Sequence, residues 1–220
     1  MKKTSYHHND LRNACIERGL EVISTAGLEA LSLRSIAKDL DVSHGAPYKH
    51  FETKNHLIAA IMERCFTLFG EYLADAFRTA DAAGDSHDSD DYLVRTIGSM
   101  GRAYIRFAFE HPEMFSLMFT APAEGWDEVI CEFPAVHDTA TRSFGFLVSK
   151  IEEMQNNGII RNGDVTAMAT FVWSTIHGFA TLHYGGNFSE LREHYAIPGD
   201  EALTESLLAM IIAALRPSGA

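Results

Sequence analysis

Residues Leu31 to Leu57 read LSLRSIAKDLDVSHGAPYKHFETKNHL. The pattern predicts two short helices joined by a tight turn, with a third helix behind them. Ser32 is placed to cap the first helix, because its hydroxyl can accept an amide of the first turn. Leu33, Ile36, Ala37 and Leu40 follow at helical spacing and form one apolar face. Asp41 is the expected turn residue, since Asp tolerates the left-handed conformation better than most residues that carry a side chain. Val42 is apolar and expected to fill the gap between the helices.

Ser43 opens the second helix, which continues through His44, Gly45, Ala46, Pro47, Tyr48, Lys49 and His50 to Phe51. A helix built for core packing would carry more Leu and Ile. Here the residues are small, aromatic or hydrogen-bonding. Small residues permit close backbone approach, and Tyr, Lys and His can reach phosphates or base edges. Pro47 fits only near a helix start and biases Ala46 away from helical geometry. The expectation is a short recognition helix with an irregular first turn. Thr53 caps and Lys54 opens the next helix, where a phosphate would meet both charge and free amides.

In the spacing L-x-x-I-A, V-S-x-G-x-x-Y-x-H-F and x-x-K-x-x-L, filled by Leu33 to Leu57, the chain resembles the TetR family of bacterial repressors. Asp41 stands where that family most often has Gly. The resemblance implies an all-α homodimer with a three-helix DNA-binding domain over residues 1–56 and a larger ligand-binding and dimerisation domain over residues 57–220. It implies a double-stranded DNA operator of pseudo-palindromic sequence as partner, and release by a small apolar effector. Arg34, Tyr48 and Lys54 are expected to hold phosphates. His44, Gly45, Ala46 and Lys49 are the candidates to face the bases, with His50 able to serve either, and Ser43 is counted with them among the DNA-binding residues.

The formal net charge of −12 sits badly with DNA until it is divided. Residues 1–56 hold eight Lys and Arg against seven Asp and Glu, while the remainder holds ten against twenty-three. The acidity therefore belongs to the part expected to stay off the DNA. A chain of 220 residues with 46% hydrophobic content has ample material for a core. No apolar run is long enough for a bilayer, and MKKTSYHHND lacks the apolar segment of a secretory signal, so a cytoplasmic protein is expected. Cys15, Cys65 and Cys131 show no paired spacing and are expected to be small buried apolar residues.

Outward from the motif, helices are expected over Asn9 to Ala26 and Lys54 to Ala83, and the TetR resemblance implies that the first braces the helix-turn-helix and that the second, continuous into the other domain, carries ligand-driven tilting to it. The turn-rich, acidic run GDSHDSDD is expected to be a solvated loop, since it lacks the Gly and terminal Glu of a calcium-binding loop. Helices are predicted over 92–110, 113–119, 135–157, 164–185 and 200–216, with a looser, Pro-interrupted stretch over 120–134 and the polar stretch NFSELREHYAIPG left as a connection. AYIRFAFEHPEMFSLMF and the W-x-x-x-H-G run Trp173, His177, Gly178 resemble the ligand domain of a TetR subgroup. Phe and Met at a helix break suit an adaptable apolar cavity. Its candidate lining is Met100, Tyr104, Phe107, Met118, Phe119, Trp126, Phe144, Trp173 and His177. His177 is expected to bond either a backbone or Tyr oxygen or the ligand. The broad apolar face of Leu203, Leu207, Leu208, Ile211, Ile212 and Leu215 on the last helix invites a symmetry mate.

No phosphate loop, zinc knuckle, H-E-x-x-H or G-x-S-x-G occurs, and nothing sets a nucleophile beside a base. No metal, cofactor or enzymatic activity is expected. The alternative is a small-molecule binding module or enzyme on the same fold that has lost DNA affinity.

Overall fold

A computed structural model of the chain describes residues 8–82, 90–119 and 133–217. Every regular element among these residues is helical, and no strand occurs among them. In chain order they are α1 (His8–Ala26), a 3₁₀ turn (Leu28–Ala30), α2 (Leu33–Asp39), a second 3₁₀ turn (Pro47–Lys49), α3 (Lys54–Ala82), α4 (Asp90–Glu110), α5 (Pro112–Phe119), α6 (Pro134–Asn156), α7 (Val165–Tyr184), α8 (Asn187–Tyr195) and α9 (Asp200–Leu215). The expected arm before His8, the acidic loop before Asp90 and the 120–132 segment with Trp126 and Cys131 lie outside the described residues.

The chain divides into two compact units: Met1–Thr67 with Glu113–Thr139, and Leu68–Pro112 with Ala140–Ala220. In the first unit, Cys15, Ile16 and Leu20 of α1 are buried with Leu33, Ile36 and Ala37 of α2 and Leu57, Ile61 and Cys65 of α3. α1 packs on α2 and on both 3₁₀ turns. Gly19 permits close approach, because a Cβ there would stand 2.6 Å from Ile61 Cδ1. Arg18 bonds Asp39 at 2.9 and 3.0 Å and Glu21 at 2.6 Å, tying α1 to α2. Phe119 of α5 meets Phe66 edge-on at 5.8 Å and Phe115 at 5.2 Å.

In the second unit, α4 is the central element and packs on α7 and α9. Tyr92, Leu93, Ile97, Met100, Tyr104 and Phe107 are all buried, as the helical spacing predicts. A Cβ at Gly101 would run into Leu208 of α9 and stand 3.3 Å from Ile176 of α7. Gly101→Val is therefore expected to cost about 1–3 kcal/mol by overpacking. Denaturant unfolding followed by circular dichroism measures it. Two bidentate pairs, Arg102–Glu205 and Arg216–Asp90, lie at 2.6–2.7 Å along this packing.

Two expectations are corrected here. NFSELREHY is a helix, bounded by Gly186 at φ 72° and Ala196 at φ 50°. Its Arg192 is bonded to Asp200, whose carboxylate also meets His183 Nε2 at 3.1 Å. α4 also begins two residues early, because Asp90 and Asp91 suit a helix N-terminus, where carboxylates face free amides.

Cys15 and Cys65 are fully buried and not disulfide-bonded. Burial pushes the Cys15 thiol up and raises that of Cys65 to about 12. The thiolate is the reactive form. Native protein is therefore expected to resist alkylation at both cysteines and to label at both once unfolded, with mass spectrometry of peptides as the readout. Labelling of Cys65 at neutral pH in the folded state would contradict this.

Candidate functional site

The first unit presents its polar surface on the turn after α2. Ser32 caps α2, its hydroxyl accepting from Ser35 N at 3.1 Å. The helix then stops at Leu40, and Asp41 takes φ 52°. That left-handed residue lets Val42 N turn back to Ala37 O at 3.0 Å. Both expectations, the Ser cap and the Asp turn, are met.

The segment that follows differs from the predicted recognition helix. No α-helix forms between Ser43 and Phe51. Ala46 N closes a turn on Ser43 O at 2.9 Å, and Pro47–Lys49 is a single 3₁₀ turn. The physical cause is composition: Pro47 has no N–H to give to a carbonyl four residues back, and Gly45 favours the unfolded chain. Ala46 nevertheless adopts αR geometry at φ −66°, ψ −46°, against the bias expected before a proline.

The short turn has an inside and an outside. Pro47 is buried and Phe51 is 2% exposed, so this pair anchors it. Phe51 N bonds Pro47 O at 3.0 Å, and the Arg12 guanidinium lies 5.7 Å from the Phe51 ring centre. Ser43, His44, Gly45, Tyr48 and Lys49 all face outward, with Tyr48 46% exposed. Ala46 and His50 are half-buried. Arg34 is exposed on the first turn of α2, and Lys54 is half-buried at the start of α3, where Thr53 Oγ1 accepts from His56 N at 3.2 Å. An exposed row of hydroxyl, imidazole, phenol and ammonium groups on a turn pinned by an apolar pair can contact a polyanion. It contains no nucleophile–base pair.

In the second unit, five of the candidate effector residues join through rings. Tyr104 meets Phe69 edge-on at 5.0 Å and bonds His177 Nδ1 at 2.7 Å. Trp173 lies 5.4 Å from the His177 ring and 5.7 Å from Phe144. Phe107 packs against Phe69 at 5.2 Å and Tyr72 at 5.4 Å. Met100 is buried on the same helix as Tyr104. Burial pushes the Tyr104 phenol up and the His177 imidazole down from 6.5, so both are held neutral near pH 7. His177 thus shares a hydrogen bond with the Tyr104 oxygen. Met118 and Phe119 fall in the first unit, and Trp126 lies outside the described residues.

Three polar contacts here had no sequence signal. Tyr72 Oη donates to Glu110 Oε2 at 2.8 Å and meets His111 Nε2 at 2.9 Å, with Arg106 over its ring at 5.1 Å. The bond to Glu110 holds the Tyr72 phenol above its ordinary value. Phe109 also stacks on His183 at 3.8 Å. Among the described residues no cluster of His, Cys, Asp and Glu could hold a metal ion, and no helix is long and apolar enough to cross a membrane.

Comparison with known proteins bears on both units. Residues 16–61 match the family described as bacterial regulatory proteins, tetR family, and residues 97–211 match the tetracyclin repressor-like C-terminal domain. The HTH-type transcriptional regulator Rv1816 of Mycobacterium tuberculosis is 23% identical over 186 residues, 84% of this chain and 69% of that protein. A solved protein with unknown function from Rhodococcus sp. RHA1 superposes with a TM-score of 0.74 at 27% identity, covering 97% of this chain and 99% of its own. The fatty acid degradation regulator FadR from Bacillus halodurans shares the fold, with a TM-score of 0.67 at 13% identity over 96% of this chain and 97% of its own.

Proposed function

The chain belongs to the TetR family of bacterial transcriptional regulators, and on that premise we propose that it is a repressor that binds a pseudo-palindromic operator as a homodimer in the cytoplasm and is released by a small apolar effector. The observation that carries this is the outward row of Ser43, His44, Tyr48 and Lys49 on a turn anchored by buried Pro47 and Phe51. Two such turns, one per subunit, would enter successive major grooves roughly 34–36 Å apart. Arg34, Tyr48 and Lys54 would hold phosphates, and His44, Gly45, Ala46 and Lys49 would lie nearest the bases. His50, half-buried, serves at the edge of either set. The acidic remainder of the chain keeps off the DNA, because like charge repels a polyanion.

Dimerisation would use α7 and α9. Phe171, Trp173, Leu182, Tyr184 and Met210 are large, apolar or aromatic, and 38–61% exposed. A symmetric partner would remove this surface from water. The effector would sit among Tyr104, Phe107, Phe144, Trp173 and His177 of the second unit, with Met100 beside them. Neutral Tyr104 and His177 suit an uncharged ligand with a hydrogen-bonding group, since a buried charge needs a partner of opposite sign. The response would reach the head through α3, continuous from Lys54 to Ala82, to whose far half Tyr72 ties the end of α4. An effector acts only if it binds two conformations unequally.

Electrophoretic shifts with the DNA flanking the chain's own coding region test the proposal. It expects a sequence-specific complex whose affinity falls steeply with salt. Binding that is absent, or identical on unrelated DNA, would overturn it.

A further inference from the structure

Threonines on the helices of this chain have a habitual partner. Thr25, Thr67, Thr79, Thr139 and Thr175 each donate the side-chain hydroxyl to the carbonyl four residues back, at 2.7–2.9 Å. Thr96 does not, although it stands well inside α4 with Tyr92 four residues behind it. The residue is 0% exposed, and its Oγ1 bonds no group among the described residues. A buried hydroxyl without a partner lowers stability, and Val would fill the same space without that penalty. Arg95 and Arg192 also leave Nε unbonded, but each pairs with an aspartate through another nitrogen. Thr181, one turn beyond His177 on α7, is unbonded too and only half-buried.

Helical spacing says what the Thr96 hydroxyl lies beside. Thr96, Met100, Ala103 and Phe107 fall at i, i+4, i+7 and i+11, one stripe along α4, and all four are buried. At the end of this stripe Phe107 meets Phe69 at 5.2 Å, and Tyr104 meets the same ring at 5.0 Å. The stripe therefore runs from an unbonded hydroxyl, past apolar side chains, to the bond between Tyr104 and His177. At about 1.5 Å per residue, Thr96 stands roughly 12 Å along the helix axis from Tyr104.

We propose that Thr96 is a second polar anchor of the effector site, its hydroxyl holding one end of an extended apolar effector whose other end reaches Tyr104 and His177. This rests on the effector site proposed above and adds the class of ligand: a chain with a hydrogen-bonding group at each end. A molecule with one polar end satisfies only one of the two anchors. The free protein carries the unbonded hydroxyl, and the right effector relieves it on binding. Stability and selectivity then respond in opposite directions to the loss of one oxygen atom.

The test uses the full-length chain, with 1-alkanols and 1,ω-alkanediols of about six to twelve carbons as probes, a range that brackets the span of roughly 12 Å. Tryptophan fluorescence and melting temperature read the binding. Wild type is expected to prefer a diol of one length over the alkanol of that length by about tenfold or more. Thr96→Val is expected to lose this preference, to bind the alkanols at least as well as wild type does, and to melt about 2–5 °C higher. Thr96→Ser, which keeps the hydroxyl, is expected to keep the preference. Binding of neither series by wild type refutes the effector site itself. If wild type binds the alkanols and prefers no diol, or if Thr96→Val keeps the preference, only the proposal for Thr96 falls. A lower melting temperature for Thr96→Val also overturns it, since the hydroxyl would then have a partner inside the free protein.

Discussion

Replacing Tyr48 and Lys49 together with alanine is expected to abolish specific DNA binding at moderate salt while leaving the melting temperature unchanged. Both side chains are exposed, and the turn beneath them is held by Pro47 and Phe51, which the double variant retains. The protein has little folding energy invested in the two groups, so their loss is read almost wholly in binding. A contact to a base edge is worth about 1–3 kcal/mol, and phosphate contacts act alongside, so the pair should lose roughly 100-fold or more per head. The two substitutions differ in kind. Lys49→Ala alone should flatten the dependence of log affinity on log salt by about one unit per head, because one fewer counterion is released. Tyr48→Ala should weaken binding and leave that slope in place. Titrations of a labelled duplex at several salt concentrations separate the two. A double variant that still binds specifically would move the reading surface elsewhere on the chain.

The second large effect is expected at His177. His177→Phe removes the 2.7 Å bond to the buried Tyr104 phenol while keeping an aromatic ring beside Trp173. The cost in stability should be modest, about 1 kcal/mol, because the imidazole is half-buried. Its pH signature is more telling. Burial lowers the His177 value below 6.5 in the folded chain. Just below 6.5 the unfolded chain therefore holds the proton and the folded chain does not. Wild-type stability should fall as pH drops through that window, level off once the folded imidazole also protonates, and show no contribution from this group above it. His177→Phe should lack this acid limb, which denaturant titrations between pH 5 and pH 8 would reveal. Any apolar molecule that releases wild type from its duplex should act at least about tenfold more weakly on the variant. Unchanged release would place the effector away from Tyr104 and His177.

The helical class and the order of elements were legible in the sequence because their causes are local. Leu33, Ile36 and Ala37 share a face by spacing alone, Ser32 is a cap by chemistry, and Asp41 makes a turn by its tolerance of positive φ. The apolar row of α4 follows the same logic, whereas the row of α9, expected to face a symmetry mate, is corrected by the structure: Leu208, Ile211, Ile212 and Leu215 are buried within the chain, where α9 packs on α4 and Leu208 closes on Gly101. The recognition segment was legible as an exposed, polar element and misjudged as a helix, because Gly45 and Pro47 each remove support from the α form and a single 3₁₀ turn remains. α8 was missed for the opposite reason. Its sequence is polar and weakly patterned, and the bond from Arg192 to Asp200 helps to hold it. Bonds between distant residues leave no local mark. Arg18 with Asp39, Tyr72 with Glu110 and Tyr104 with His177 lie 21, 38 and 73 positions apart. Residue type alone marks the effector candidates and does not say which unit each joins: Phe119 packs on Phe66 and Phe115 of the first unit, and Met118 is buried in that unit too.

The most direct measurement of the central claim is a hydroxyl-radical and base-methylation footprint of the wild-type protein on a duplex that it selects from a random-sequence DNA pool. Two exposed turns entering one face of the DNA predict two equivalent protected patches related by a twofold axis, one helical turn or a small multiple of it apart, about 10–10.5 base pairs per turn, with guanine N7 shielded in both major grooves. A single patch, or protection confined to the minor groove, would contradict it.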